Sequence, residues 1–343
     1  MKRGNIINEF IYIWLQFFAC MLLIGYAGVK LTIYGDAISD KTGLGGNWIG
    51  FLLMAMVTSV PELASGISAV TLANAPDIAV GTLLGSCVFN LTIIVILDLL
   101  YRKASIYQAA SPGHILSASF GIVLFGICGL GINLAAVGQA SALGYIGMYS
   151  PLIIFLYIIA VRTVFSYESR QIKAFTEREP DAYPSLSLTS VILRYLFAAV
   201  VVIITSLVLP LVAKQIAQIM HWQESFVGTM LVAFITSLPE MVVAVTAIRI
   251  HALDMAIGNI FGSNLFNIAV VAIEDFFYKP GPILAMISPV HTISVATAVI
   301  MTGFAIIGLF YRSEQRVLKM VGWISWLLLV FYIINSYLMF KYG

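Results

Sequence analysis

The pentapeptide Thr58-Ser59-Val60-Pro61-Glu62 returns 178 positions later as Thr236-Ser237-Leu238-Pro239-Glu240, in a chain that is 61% hydrophobic and 10% charged. A second string follows each copy. Gly85-Ser86-Cys87-Val88-Phe89-Asn90 reappears 177 positions on as Gly262-Ser263-Asn264-Leu265-Phe266-Asn267. The chain is a duplicated unit, and each unit sets a glutamate in apolar sequence. Soluble domains carry about 25% charged residues, so a chain this apolar belongs in lipid. An ionisable side chain is costly in a bilayer, and a duplicated one marks a functional site.

The apolar runs 10–31, 116–134 and 323–340 are each near the ~20 residues that carry a helix across a bilayer. Period-two alternation is absent, which argues against a β-barrel. The first run follows Lys2 and Arg3 but exceeds the roughly 7–15 apolar residues of a signal peptide, so we read it as a span of the mature protein. The pattern predicts an all-α polytopic membrane protein of ten helices, over 9–34, 46–73, 77–100, 112–134, 140–165, 188–220, 224–248, 253–277, 286–311 and 319–341. The hydrophilic stretch 166–187 divides it into a first five-helix repeat (1–165), a linker loop and a second five-helix repeat (188–343).

Numbering the connections by parity puts five Lys and Arg residues on one side and thirteen on the other. The richer side is expected to be cytoplasmic. Both termini are then extracellular or periplasmic, in a plasma or inner membrane. Five is odd, so the second copy enters the bilayer from the opposite side. This is an inverted repeat, the architecture of many secondary transporters. The duplication continues in Asp77 and Asp254, in Asp98 and Asp275, and in Ser111-Pro112-Gly113-His114 and Ser288-Pro289-Val290-His291.

Thr58 and Glu62 are spaced i,i+4 and share a helix face, flanked by Ser59; Thr236, Ser237 and Glu240 repeat the set. Pro61 and Pro239 each remove a backbone donor and free a carbonyl one turn earlier, which must find a partner or line a polar cavity. In the second strings Ser86 and Asn90, and Ser263 and Asn267, have the same spacing. Gly81 with Gly85, and Gly258 with Gly262, allow close helix approach. Ser86 and Asn90 are expected against Glu62, and Ser263 and Asn267 against Glu240. The result is an all-oxygen set suited to hard cations such as Ca²⁺ or Na⁺. Two carboxylates carry −2, which one Ca²⁺ neutralises. Left empty and ionised, each would cost at least ~2.5–3.5 kcal/mol. When Ca²⁺ leaves, Na⁺ or protons must replace it, which favours an exchanger over an open pore.

The paired strings resemble the α-repeats of the cation/Ca²⁺ exchanger superfamily, specifically its sodium/calcium exchanger branch, over nearly the whole chain. The resemblance implies that Glu62 and Glu240 ligate Ca²⁺. It implies that Thr58, Thr236, Ser86 and Ser263 complete Ca²⁺ and Na⁺ sites, and that the carbonyls of Ala55 and Ala233 add Na⁺ ligands. The implied mechanism is alternating access, with helices 1 and 6 sliding past the other eight. Relatives can carry Asp at the position of Asn267, whereas both strings here end in Asn. Thr82 stands opposite Asn259 and Cys87 opposite Asn264. The large regulatory insert of animal exchangers is absent.

The expectation is therefore a Na⁺/Ca²⁺ antiporter that works as a monomer, without cofactor or nucleic-acid partner. Exchange of H⁺ for Ca²⁺ or another divalent cation is the alternative. No nucleophile–base pair points to an enzyme. Asp77 and Asp254 are expected to complement helix dipoles. Asp98 and Asp275 are expected to be solvated or salt-bridged at helix ends, and His114 and His291 to be interfacial. Cys20, Cys87 and Cys128 read as small core residues.

Overall fold

In a computed structural model that describes residues 2–42, 55–101, 104–172, 187–249, 252–312, 316–317 and 321–343, the apolar runs become long helices. The first half forms α1 (Lys2–Lys41), α2 (Val60–Thr71), α3 (Pro76–Leu100), α4 (His114–Ala136) and α5 (Tyr149–Ile172). The second half forms α6 (Leu188–Met220), α7 (Leu238–Arg249), α8 (Leu253–Phe277), α9 (His291–Tyr311) and α10 (Trp323–Tyr342). Among the described residues, eight helices are long and apolar enough to cross a membrane. The pair Glu224–Thr236 and Leu238–Arg249, bent by 43°, makes a ninth when it is counted as one broken span. The span expected over 46–73 begins outside the described residues; its described part is the turn 55–58 and α2.

The helix breaks come from the duplicated strings. Pro61 lacks the donor that would continue the helix, and its missing N–H is harmless near a helix start, so α2 restarts there. Ser59, just before the break, sits at φ −89°, ψ 12°; Ser237 in the second copy sits at φ −87°, ψ 6°. Both lie in the sparsely populated bridge region rather than in the helical well. Two segments far apart in the chain thus adopt one turn geometry.

α3 and α8 are the most deeply buried spans and cross at the centre of the molecule. α1 packs along α6, and part of that contact forms a separate small core of Ala27, Leu31, Ala198 and Val202. The main core joins this pair to the other helices, through Ile13, Phe17, Cys20 and Ile24 of α1 and Leu209, Val212, Ala213 and Ile216 of α6. Lys214 of α6 donates from Nζ to the carbonyls of Ala73 (2.6 Å) and Asn74 (3.2 Å) just past α2.

Several expectations change. Residues 142–147 form a hairpin, β1 (Ala142–Leu143) with β2 (Ile146–Gly147), rather than the start of a helix; Gly144, at φ +68°, makes the turn. Before α10, β3 (Arg316–Val317) pairs with β4 (Val321–Gly322) where helix was expected from 319. Helix α9 likewise starts at His291 rather than 286, after a short 3₁₀ turn at Ile283–Ala285. α5 runs past the expected boundary at 165 to Ile172; the rest of the linker, 173–186, lies outside the described residues.

Asp98 and Asp275, at the ends of the two central helices, are neither solvated nor ion-paired. Asp275 is fully buried and accepts from Gly147 N (2.7 Å), Tyr149 OH (2.9 Å), Ser150 Oγ (2.6 Å) and Ile283 N (2.6 Å). Asp98 accepts from Gly322 N (2.6 Å), Ser325 Oγ (2.8 Å) and Ile106 N (3.4 Å). Each carboxylate ties the end of a central helix to the hairpin and helix start of the opposite half. Asp77 and Asp254 also reach across. Asp77 Oδ1 accepts from Ser288 N (2.7 Å) and lies 3.0 Å from His291 Nε2; Asp254 Oδ1 accepts from Ser111 N (2.7 Å) and lies 3.0 Å from His114 Nε2. The halves are strapped together by duplicated polar contacts, which a lipid-embedded backbone needs because no water is there to supply partners. The three cysteines are buried and free, as expected.

Candidate functional site

The two helix breaks meet where α3 and α8 cross. Glu62 and Glu240 are each fully buried, and each is braced by the other copy. Ser237 Oγ donates to Glu62 Oε1 (3.2 Å), and Ser59 Oγ donates to Glu240 Oε1 (2.9 Å). Because Ser59 and Glu62 stand one helical turn apart, these crossed bonds bring the two carboxylates close together. The second oxygen of each, Glu62 Oε2 and Glu240 Oε2, has no hydrogen-bond partner among the described residues. A buried carboxylate with one oxygen held and one bare is poorly satisfied unless something positive fills the chamber.

The hydroxyls form two matching clusters. Ser86 Oγ lies 3.3 Å from Thr236 Oγ1, 3.4 Å from the Ala233 carbonyl and 3.3 Å from Glu62 Oε1. Ser263 Oγ lies 3.4 Å from Thr58 Oγ1 and 3.5 Å from the Ala55 carbonyl. Thr58 and Thr236 also donate back to these carbonyls, at 3.1 and 3.3 Å. The Ala55 and Ala233 oxygens, expected as second-tier ligands, therefore sit inside the hydroxyl clusters. Each cluster contains two hydroxyls and one main-chain carbonyl, and the Ser86 cluster also touches the Glu62 carboxylate.

Part of the expected pairing is different. Ser86 reaches Glu62 as expected, but Ser263 bonds across to Thr58 and Ala55 rather than to Glu240. Asn90 Nδ2 donates to Asn264 Oδ1 (3.1 Å), and Asn264 Nδ2 donates to the Cys87 carbonyl (3.1 Å). Asn90 thus braces α3 against α8 instead of touching Glu62. Asn267 is fully buried, and both its amide atoms lack a partner among the described residues. Asn259 was outside the expected set, but its Oδ1 lies 3.4 Å from Thr58 Oγ1. Its first-copy counterpart is Thr82, so the repeat comparison pointed at the position without giving it a role.

Close approach makes these contacts reachable. A Cβ on Gly85 would fall on the backbone of Thr229, so only glycine lets α3 lie against the π-helical segment Val227–Val232. Gly262 faces the Ala55 methyl, 3.0 Å from where its own Cβ would stand. Among the described residues no cluster of three or more His, Cys, Asp or Glu side chains is present. The donor set is two carboxylates with hydroxyls, amides and carbonyls, the chemistry of hard cations and not of zinc or copper.

A helical membrane protein whose inverted halves meet at a buried oxygen-rich site is built as a secondary transporter. The chain belongs to the sodium/calcium exchanger family: a profile described as "Sodium/calcium exchanger protein" matches residues 12–165 and 189–341. Inner membrane protein YrbG of Escherichia coli is 26% identical over 326 residues, covering 91% of this chain and 95% of that protein. Among solved structures, the H⁺/Ca²⁺ exchanger CAX superposes with a TM-score of 0.70 at 14% identity, covering 96% of this chain and 85% of that one. The sodium-calcium exchanger NCX_Mj superposes with a TM-score of 0.57 at 21% identity, covering 94% of this chain and 97% of that one. The family is one of transporters, not enzymes.

Proposed function

We propose that the chain is a secondary antiporter that exchanges Ca²⁺ for Na⁺ by alternating access, with Glu62 and Glu240 as the charged ligands. The observation that carries this reading is the crossed bracing of the two glutamates, each with one oxygen held by the opposite repeat and one bare. One Ca²⁺ between them cancels the charge of both. Thr58, Thr236, Ser86, Ser263 and the Ala55 and Ala233 carbonyls supply further oxygens toward the 6–8 that Ca²⁺ takes. Ser59 and Ser237 orient the carboxylates. Asn267 adds an unpartnered amide on the same face of α8 as Ser263, and Asn90 acts through Asn264.

Na⁺ is the coupling ion in this reading because the two hydroxyl–carbonyl clusters offer neutral oxygens apart from the shared carboxylates, and protons need none. The alternative is H⁺/Ca²⁺ exchange, which two carboxylates without a third in the chamber serve equally well in charge. The relatives that share the fold are named for both couplings, so the fold does not choose between them. We further propose that α1 and α6 slide as a unit, that the segments 1–165 and 188–343 are the functional halves with 166–187 between them on the cytoplasmic side, and that both termini face outward. A single chain contains the whole site, so a monomer suffices.

The test is Ca²⁺ uptake into proteoliposomes at fixed pH. Uptake driven by an outward Na⁺ gradient is the expected result. Uptake driven only by a proton gradient would transfer the assignment to H⁺/Ca²⁺ exchange.

A further inference from the structure

Glu274 has no part in the site just described, yet it is fully buried and neither carboxylate oxygen has a hydrogen-bond partner among the described residues. It stands seven residues past Asn267 and eleven past Ser263, spacings that return to the same face of α8 after about two and three turns. Helical side chains lean toward the N-terminus, so its carboxylate tilts back toward Asn267.

Its neighbour on α2 is Gly66. A Cβ on Gly66 would collide with Glu274 Oε1, so the glycine makes the room that the carboxylate occupies. Gly66 lies one helical turn past Glu62. Near the other end of the same seam, Gly262 and Ser263 of α8 meet Ala55 before α2. α2 and α8 therefore run side by side in the same direction. Their seam carries, in order, the Ala55 cluster, Glu62 and then Glu274, before α2 ends at Thr71.

The repeat shows that this is not a structural requirement. The counterparts of Gly66 and Glu274 in the other copies are Ala244 and Leu97, both buried. The carboxylate and the space for it occur together in one seam and are both missing from its partner. The acids that build the fold, Asp98 and Asp275, are present in both copies and fully bonded.

We propose that Glu274 is a proton-binding site on the ion route, between the central chamber and the membrane face where α2 ends. It rests on the reading of Glu62 and Glu240 as the transport site. Among the described residues no polar group stands within hydrogen-bond distance of either Glu274 oxygen, far short of the 6–8 oxygens that Ca²⁺ takes. A proton needs one. As the structure stands, an ionised Glu274 would be a lone charge in a dry apolar seam, at a cost of several kcal/mol, so the group is occupied by a proton. When water and an incoming cation enter the seam, the O–H bond breaks and the proton passes to that water. The carboxylate then attracts the cation toward Glu62, and a proton returns once the cation has moved on. The ionisable groups on the surrounding elements include Glu62 on α2, Asp77, Cys87 and Asp98 on α3, His114 and Cys128 on α4, Tyr149, Tyr157, Arg162 and Tyr167 on α5, and Glu240 and Arg249 on α7. Asp275, next in sequence, is engaged by its four donors on the hairpin, α5 and the Ile283 turn.

Two measurements on the full-length protein test this. In infrared difference spectra, the C=O stretch of a protonated carboxylic acid should be present in a Glu62→Gln/Glu240→Gln double variant and vanish when Glu274→Gln is added. Its persistence would overturn the proton assignment whether or not the protein transports Ca²⁺. In proteoliposomes, Glu274→Gln should slow Ca²⁺ uptake roughly tenfold at alkaline pH, equivalent to about 1.4 kcal/mol in the barrier, and flatten the pH profile. Glu274→Asp should restore a pH-dependent limb with a shifted midpoint. A wild-type rate and pH profile in Glu274→Gln would leave a silent buried acid and end the proposed role. Absence of uptake by the wild type under either gradient would count against the transport reading instead, with the infrared result still deciding the proton.

Discussion

The two seams of the repeat, α2 against α8 and α7 against α3, are alike at the centre and different away from it. At the centre the match extends to backbone angles: Ser59 and Ser237 share one unusual conformation, and each holds the glutamate of the other copy. Toward the helix ends the copies diverge, with Gly66 and Glu274 in one seam and Ala244 and Leu97 in the other. Within the centre itself the copies also differ, with Thr82 and Cys87 of α3 standing for Asn259 and Asn264 of α8. The difference teaches where symmetry is needed. In our reading a site opened alternately to two sides must present equivalent groups to both, so its glutamates and the serines that brace them are kept in both copies. The routes to it face different solutions and are free to differ.

The sharpest way to break that comparison is at the glutamates. Glu62→Gln and Glu240→Gln should each reduce Ca²⁺ uptake in proteoliposomes to background while the protein remains monodisperse and folded. Retained uptake in either would mean that the copies are not equivalent, and in both it would refute the site. The serines test the crossed bracing. A hydrogen bond to a charged group contributes about 1.5–3 kcal/mol, so Ser59→Ala and Ser237→Ala should each weaken apparent Ca²⁺ affinity by roughly tenfold or more. The effect should be somewhat larger for Ser59, whose contact is 2.9 Å against 3.2 Å. The smallest contrast lies in the packing glycines. Gly85→Ala places a methyl on the Thr229 backbone and should lower the melting temperature by the equivalent of about 1–3 kcal/mol of overpacking. Gly262→Ala meets only the Ala55 methyl and should cost less. Equal losses would show that both helices approach their neighbours with the same tolerance.

Much of this was legible in the chain because lipid restricts the options. Apolar run length sets the helices, proline placement sets the breaks, and an odd number of helices per copy sets the inversion. The pairing of Glu62 with Ser86 was expected from the close helix approach that Gly81 and Gly85 allow, whereas the Ala55 and Ala233 carbonyls were implied only by the resemblance to the exchanger family. The hairpins before α5 and α10 were not legible, because two-residue strands leave no period to detect. Their formation depends on Asp275 and Asp98 accepting from Gly147 and Gly322 far along the chain. The same distance hid the bonding of Asn90 to Asn264 and of Ser263 to Thr58. Spacing along one helix says which residues share a face, but not which neighbouring helix that face meets.

The sequence by itself determined a duplicated, inverted, membrane-spanning chain with one buried carboxylate per copy, because hydrophobicity and local geometry act over a few turns. Only the tertiary structure decided that each carboxylate is held by the opposite copy, that the paired aspartates are buried straps, and that Glu274 stands bare beside Gly66. These outcomes depend on contacts between residues more than a hundred positions apart, which exist only once the two halves have packed against each other.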